Sequence, residues 1–87
     1  MSRIMDAVDI YLNITSPDMS LTGMMVSRVS LPGICGSFTV LPGHAPMISA
    51  LTEGDIEYVA GGEISSTHIK SGFVEISDNR VSVCAEI

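Results

Sequence analysis

Four side chains in this 87-residue chain are of metal-binding type: His44, His68, Cys35 and Cys84. Zinc sites announce themselves by ligand pairs two to four residues apart, and no two of these four come that close. The ten carboxylates are spread over the whole length, with no spacing that forces two together for acid–base work. No serine stands in a Gly-x-Ser-x-Gly turn, and no glycine run opens a helix that would cradle a phosphate. These patterns argue for no metal, no cofactor and no catalytic site. What remains is Leu41-Pro42-Gly43-His44-Ala45-Pro46, with Leu31-Pro32-Gly33 ten residues upstream. A Pro-Gly pair supplies φ near −65° and then a positive φ, as a type II turn requires. Leu31, Leu41 and Ala45 each precede a proline and are driven to extended backbone. Residues 41–46 therefore form a stiff corner with His44 at its tip, suited to touching a partner.

The elements that hold this corner read as strands. Ile10, Leu12 and Ile14 alternate with Tyr11, Asn13 and Thr15, the period of a half-buried strand. Asn13-Ile14-Thr15 matches a glycosylation sequon, but its place in mid-strand argues against use. After the 16–18 turn and a short extended piece over 19–22, Met25, Ser27, Val29 and Leu31 are expected to face the core. Phe38 and Val40 point inward from the next strand, then Ile56 and Tyr58, then Ile64 and Ile69, and last Val81 and Val83. Gly61-Gly62 is a hairpin turn needing positive φ and is taken to lie far from the corner, and Asp78-Asn79 makes the last hairpin. Met24, Met25 and Met47 are read as core fillers, Cys84 as a small core residue and Cys35 as a turn residue, both cysteines being free thiols.

Turn signals every eight to twelve residues, with no sustained helical period, predict an all-β protein. The expected form is a flattened β-sandwich or barrel of about ten short, mostly antiparallel strands, a single domain over 1–87 with 1–8 loosely held. Hydrophobic residues make up 46% of the chain, as in a globular protein, and the isolated chain is expected to be a monomer. The net charge is −6, and Arg3, Arg28, Lys70 and Arg80 are scattered. No basic stripe exists for nucleic acid or an anionic lipid surface, whereas a partner with exposed arginine or lysine is favoured. No apolar run approaches the roughly 18 residues of a membrane span and no signal peptide opens the chain, so direct lipid insertion and export are not expected.

At the corner the chain resembles a known family. Leu31-Pro32-Gly33, Gly36-Ser37-Phe38-Thr39-Val40-Leu41-Pro42-Gly43-His44-Ala45-Pro46, Gly72-Phe73-Val74-Glu75-Ile76 and Asn79-Arg80-Val81-Ser82-Val83 follow one another as in the epsilon subunits of F-type ATP synthases, called delta in mitochondria. Ile14-Thr15-Ser16-Pro17-Asp18 fits the same family's first strand and turn, so the resemblance runs from Ile10 onward. It implies a β-sandwich followed by a two-helix hairpin that would begin beyond Ile87. The chain is expected to lack those helices, and with them the inhibitory and ATP-sensing behaviour they carry.

The resemblance further implies a non-catalytic rotor subunit in the central stalk of a proton-translocating enzyme. It would grip the gamma subunit and rest on the polar loops of the proton-carrying ring, at the cytoplasmic face of the bacterial membrane. The implied ring contact comprises Ser37, Pro42, Gly43, His44, Ala45 and Pro46. Ser37 stands where the family commonly has an acidic residue, Thr39 replaces its next glycine, and Ser71-Gly72 replaces a Gly-Gly. The first change removes a charge from the ring-facing side and leaves His44 as the polar contact. The acidic net charge suits ring loops that the resemblance implies are basic. The alternative is a free-standing sandwich that binds a ligand or peptide through the corner.

Overall fold

In a computed structural model, residues 9–17 and 20–87 are described. The expectation of a loose segment over 1–8 lies outside them, as does Asp18 of the 16–18 turn. The strands are β1 (Ile10–Thr15), β2 (Ser20–Val26), β3 (Arg28–Leu31), β4 (Phe38–Val40), β5 (Met47–Leu51), β6 (Gly54–Ala60), β7 (Glu63–Ile69), β8 (Ser71–Ser77) and β9 (Arg80–Glu86). Five strands form one sheet in the order β2-β1-β9-β8-β5, and four form the other in the order β4-β3-β6-β7. The pairing of β1 with β9 is parallel, and all the other ladders are antiparallel. No helix occurs among the described residues, which form nine strands of an all-β sandwich, in line with the expected fold of about ten short strands.

Alternation builds the core. Ile10, Leu12 and Ile14 of β1 and Val81, Val83 and Ala85 of β9 are all buried. Opposite them lie Val29 and Leu31 of β3, Val40 of β4, Ile56 of β6 and Ile69 of β7, in one cluster with Val74 and Ile76. Each of the buried valines, leucines and isoleucines contributes about 1.5–3 kcal/mol. No polar side chain is buried among the described residues.

Residues 25–31 are not one strand. Ser27 carries the chain from the five-stranded sheet to the four-stranded one, and its N–H donates to the Val59 carbonyl at 2.8 Å. The period of two holds only within a strand, so this bend resets the facing. Val26 and Val29 are inward, while Met25 is 52% exposed. Met24 and Met47 do pack on the core, as do Phe38 and Tyr58.

Two further expectations fail on parity. Ile64 and Ile69 lie five residues apart on one strand and cannot share a face; Ile69 is buried and Ile64 is 63% exposed. Cys84 shares its face with Arg80, Ser82 and Glu86, and it is exposed because Val83 and Ala85 on either side take the core. Cys35 is exposed, and both thiols are free.

The two Pro-Gly pairs also differ. Leu31, Pro32 and Gly33 are buried, and Gly33 does not have positive φ. Its N–H donates to the Leu31 carbonyl at 3.1 Å in a three-residue turn, and it bridges to Leu51. Glycine is required there by close approach, since a Cβ would lie 2.7 Å from the backbone carbonyl oxygen of Gly36 and 2.9 Å from the Phe38 ring. The positive φ of this loop falls on Gly36, at 131°.

Candidate functional site

Residues 41–46 cross from β4, an edge of the four-stranded sheet, to β5, an edge of the five-stranded one. The His44 N–H donates to the Leu41 carbonyl at 3.1 Å and Gly43 has φ of 86°, which is the type II turn the Pro-Gly pair predicts. His44 Nδ1 lies 2.7 Å from the Ala45 carbonyl. A carbonyl only accepts, so Nδ1 carries the hydrogen and Nε2 is the ring atom offered to a partner. The Gly43 N–H, which the turn leaves without an internal acceptor, donates to Asn79 Oδ1 at 2.7 Å.

The corner does not stand alone at its end of the sandwich. Val29 pairs with both Val40 and Tyr58, so Leu41 and the Gly61-Gly62 turn emerge on the same side. Met47 pairs with Ile76, which brings the Asp78-Asn79 turn there too. Both are hairpin turns as expected, and both are left-handed, with φ of 60° and 83° in the first and 52° and 60° in the second. The Gly61-Gly62 turn is therefore a neighbour of the corner, not remote from it. Leu41 and Ile64 line a shallow cleft there with Ser27, Arg28, Val59 and Gly62.

The structure joins Pro42, Gly43, His44, Ala45 and Pro46 in one turn but leaves Ser37 out. Ser37 precedes Phe38, whose partner is Leu31, at the opposite end of β4. Asn79 is the member that sequence reasoning missed: it lies 36 residues from Gly43, and only the sheet order brings them together.

The four residues weighed for a metal do not assemble, and no group of three or more His, Cys, Asp or Glu is placed to hold one among the described residues. His44 is at the corner, while His68 is at the other end of the sandwich and has Asp55 at 2.8 Å and Glu53 at 3.2 Å on its two ring nitrogens. Those hydrogen bonds, Asp55 first, raise the His68 pKa above its ordinary value.

What the corner offers is a preset backbone shape and one imidazole nitrogen, on a scaffold that is recognisable by comparison. Residues 9–87 match the family described as ATP synthase, Delta/Epsilon chain, beta-sandwich domain. The chain belongs to this family. The ATP synthase epsilon chain of Nitratidesulfovibrio vulgaris (strain DP4) is 42% identical over 77 residues, covering 88% of this chain and 58% of that one. That of Lawsonia intracellularis is 38% identical over the same length and coverage. The chain thus spans 58% of the length of these curated epsilon chains. Among solved structures, a chain of the Euglena gracilis mitochondrial ATP synthase, in an OSCP/F1/c-ring assembly, superposes with a TM-score of 0.83 at 25% identity over 90% of this chain and 51% of that one. A chain of the Tetrahymena thermophila mitochondrial ATP synthase central stalk and c-ring shares the fold, with a TM-score of 0.75 at 12% identity over 90% of this chain and 63% of that one.

Proposed function

We propose that this epsilon-type sandwich is a non-catalytic rotor subunit of a proton-translocating ATP synthase. It holds the gamma subunit, rests its 42–46 corner on the polar loops of the proton-carrying ring, and so couples proton flow to ATP synthesis. The observation that carries this reading is the match of residues 9–87 to the delta/epsilon sandwich domain. The corner supports it physically. Pro42, Gly43 and Pro46 set the loop before contact, which lowers the ordering cost of association. A net charge of −6 suits a partner with basic loops. On this reading the domain sits peripherally on the ring, at the cytoplasmic face of a bacterial membrane.

Gly36 supplies a control, because it lies beyond the opposite end of β4 from the corner. Gly36 and Gly43 both have positive φ, 131° and 86°, and a Cβ at either meets nothing within 4 Å. Valine therefore strains each backbone without a collision, by about 1–2 kcal/mol or more. In reconstituted vesicles, Gly43→Val is expected to lower proton pumping per ATP hydrolysed, His44→Ala to lower it slightly, and Gly36→Val to leave it near wild type. Equal uncoupling by Gly36→Val and Gly43→Val, with both proteins folded, rules out the corner as the contact.

A further inference from the structure

Resting on the reading of the corner as the ring contact, we infer that Asn79 is its positioning residue, fastening the corner to the middle of the five-stranded sheet. The covalent attachments of residues 41–46 are weak ones. They run to β4, three residues long at one sheet edge, and to β5 at the edge of the other. Edge strands have a partner on one side only and open more readily than central ones. A load applied to the corner through these strands alone would be borne by two edges.

Asn79 provides another path. Its side-chain oxygen accepts the Gly43 N–H at 2.7 Å, and its backbone carbonyl accepts the Tyr11 N–H at 2.9 Å. It sits in the turn joining β8 to β9, and β9 is the central strand of β2-β1-β9-β8-β5. One residue thus links the corner, the β8–β9 hairpin and the first strand. The bond is directional: of the two amide atoms of Asn79 only Oδ1 can accept an N–H, so the amide is held with Oδ1 toward Gly43.

The hairpin itself does not need this side chain. Asp78 and Asn79 have φ of 52° and 60°, a two-residue left-handed turn in which Asp-Gly serves as well as Asp-Asn. Asn79→Gly therefore removes the acceptor from a turn that keeps or gains stability, whereas Asn79→Asp keeps an oxygen in place. A purely structural role for Asn79 predicts no loss in either variant.

The test combines three measurements on wild type, Asn79→Gly and Asn79→Asp. In the purified chain, the Gly43 amide is expected to be protected from hydrogen exchange in wild type and Asn79→Asp, and to exchange roughly fivefold faster in Asn79→Gly, as the loss of one net hydrogen bond implies. The melting temperature of Asn79→Gly should not fall. In vesicles carrying the whole ATP synthase, pumping per ATP should fall for Asn79→Gly and hold for Asn79→Asp. Wild-type coupling in Asn79→Gly overturns the inference if Gly43→Val does uncouple, and equal Gly43 exchange in all three proteins overturns it at its root. If Gly43→Val and Asn79→Gly both couple normally, the ring-contact reading fails and takes this role with it.

Discussion

His68 Nδ1 lies 2.8 Å from Asp55 Oδ1, across a ladder in which the two residues are direct register partners. On the other side of the ring, Nε2 meets Glu53 at 3.2 Å. A neutral imidazole has one N–H and can serve one of these carboxylates; the imidazolium serves both. The arrangement thus favours the charged ring, which is why its pKa is raised by Asp55 first and Glu53 second.

The stability that follows has a definite sign. Because the folded-state pKa is raised, the contribution is fully present below about pH 6.5, the unperturbed histidine value, and is lost as pH rises through the raised value. His68→Gln should therefore be less stable than wild type below about pH 6.5, and the gap should close as pH rises through the raised pKa. Added salt should shrink the difference, since the group is exposed. Melting curves of the two proteins across this range test it, and a gap that widens with pH would contradict the assignment.

Ile56 and Ile64 form a matched pair for the core. Ile56 is fully buried in β6, whereas Ile64 is 63% exposed on the edge strand beside it. Ile56→Ala is expected to cost about 2–5 kcal/mol, a large share of what so small a domain has. Ile64→Ala should stay within about 0.5 kcal/mol of wild type. Urea unfolding of both variants decides it, and comparable losses would mean the strand faces are misassigned.

Both cysteines should be open to reagent in the folded protein. Cys35 and Cys84 are exposed, so a small aromatic disulfide reagent in native buffer is expected to release two equivalents of chromophore before any unfolding. One equivalent, with the second appearing only in denaturant, would return Cys84 to the core.

That cysteine shows how much could be read from the chain. Local pattern settled the strand faces where a strand is straight, as in β1 and β9. Cys84 was misjudged against that very pattern, because its apolar neighbours outweighed its parity. The Pro42-Gly43 turn was legible because its geometry is local. Pro32-Gly33 has the same dipeptide but a different conformation, and it is buried, with the Gly36 carbonyl and the Phe38 ring packed against Gly33. The bend at Ser27 and the reach of Asn79 to Gly43 depend on which strands share a sheet, and no local period encodes that.

Gly72 and Gly43 need to be glycine for different reasons, and alanine separates them. Gly72 lies in β8 opposite Ala85 of β9. A Cβ at Gly72 would come 2.6 Å from the Cys84 carbonyl oxygen and 3.0 Å from Ala85 Cα, and both are backbone atoms that cannot turn aside. Gly72→Ala must therefore push apart β8 and the central strand, at a cost of about 1–3 kcal/mol. At Gly43 a Cβ meets nothing within 4 Å, and Gly43→Ala pays only for a left-handed backbone, about 1 kcal/mol. Chemical denaturation should rank Gly72→Ala as the less stable variant. Hydrogen exchange should locate the damage, with faster exchange along β8 and β9 in Gly72→Ala and near wild-type exchange there in Gly43→Ala. A Gly72→Ala protein as stable as wild type would show that the two strands can separate at little cost, and the close approach would then not be what requires glycine.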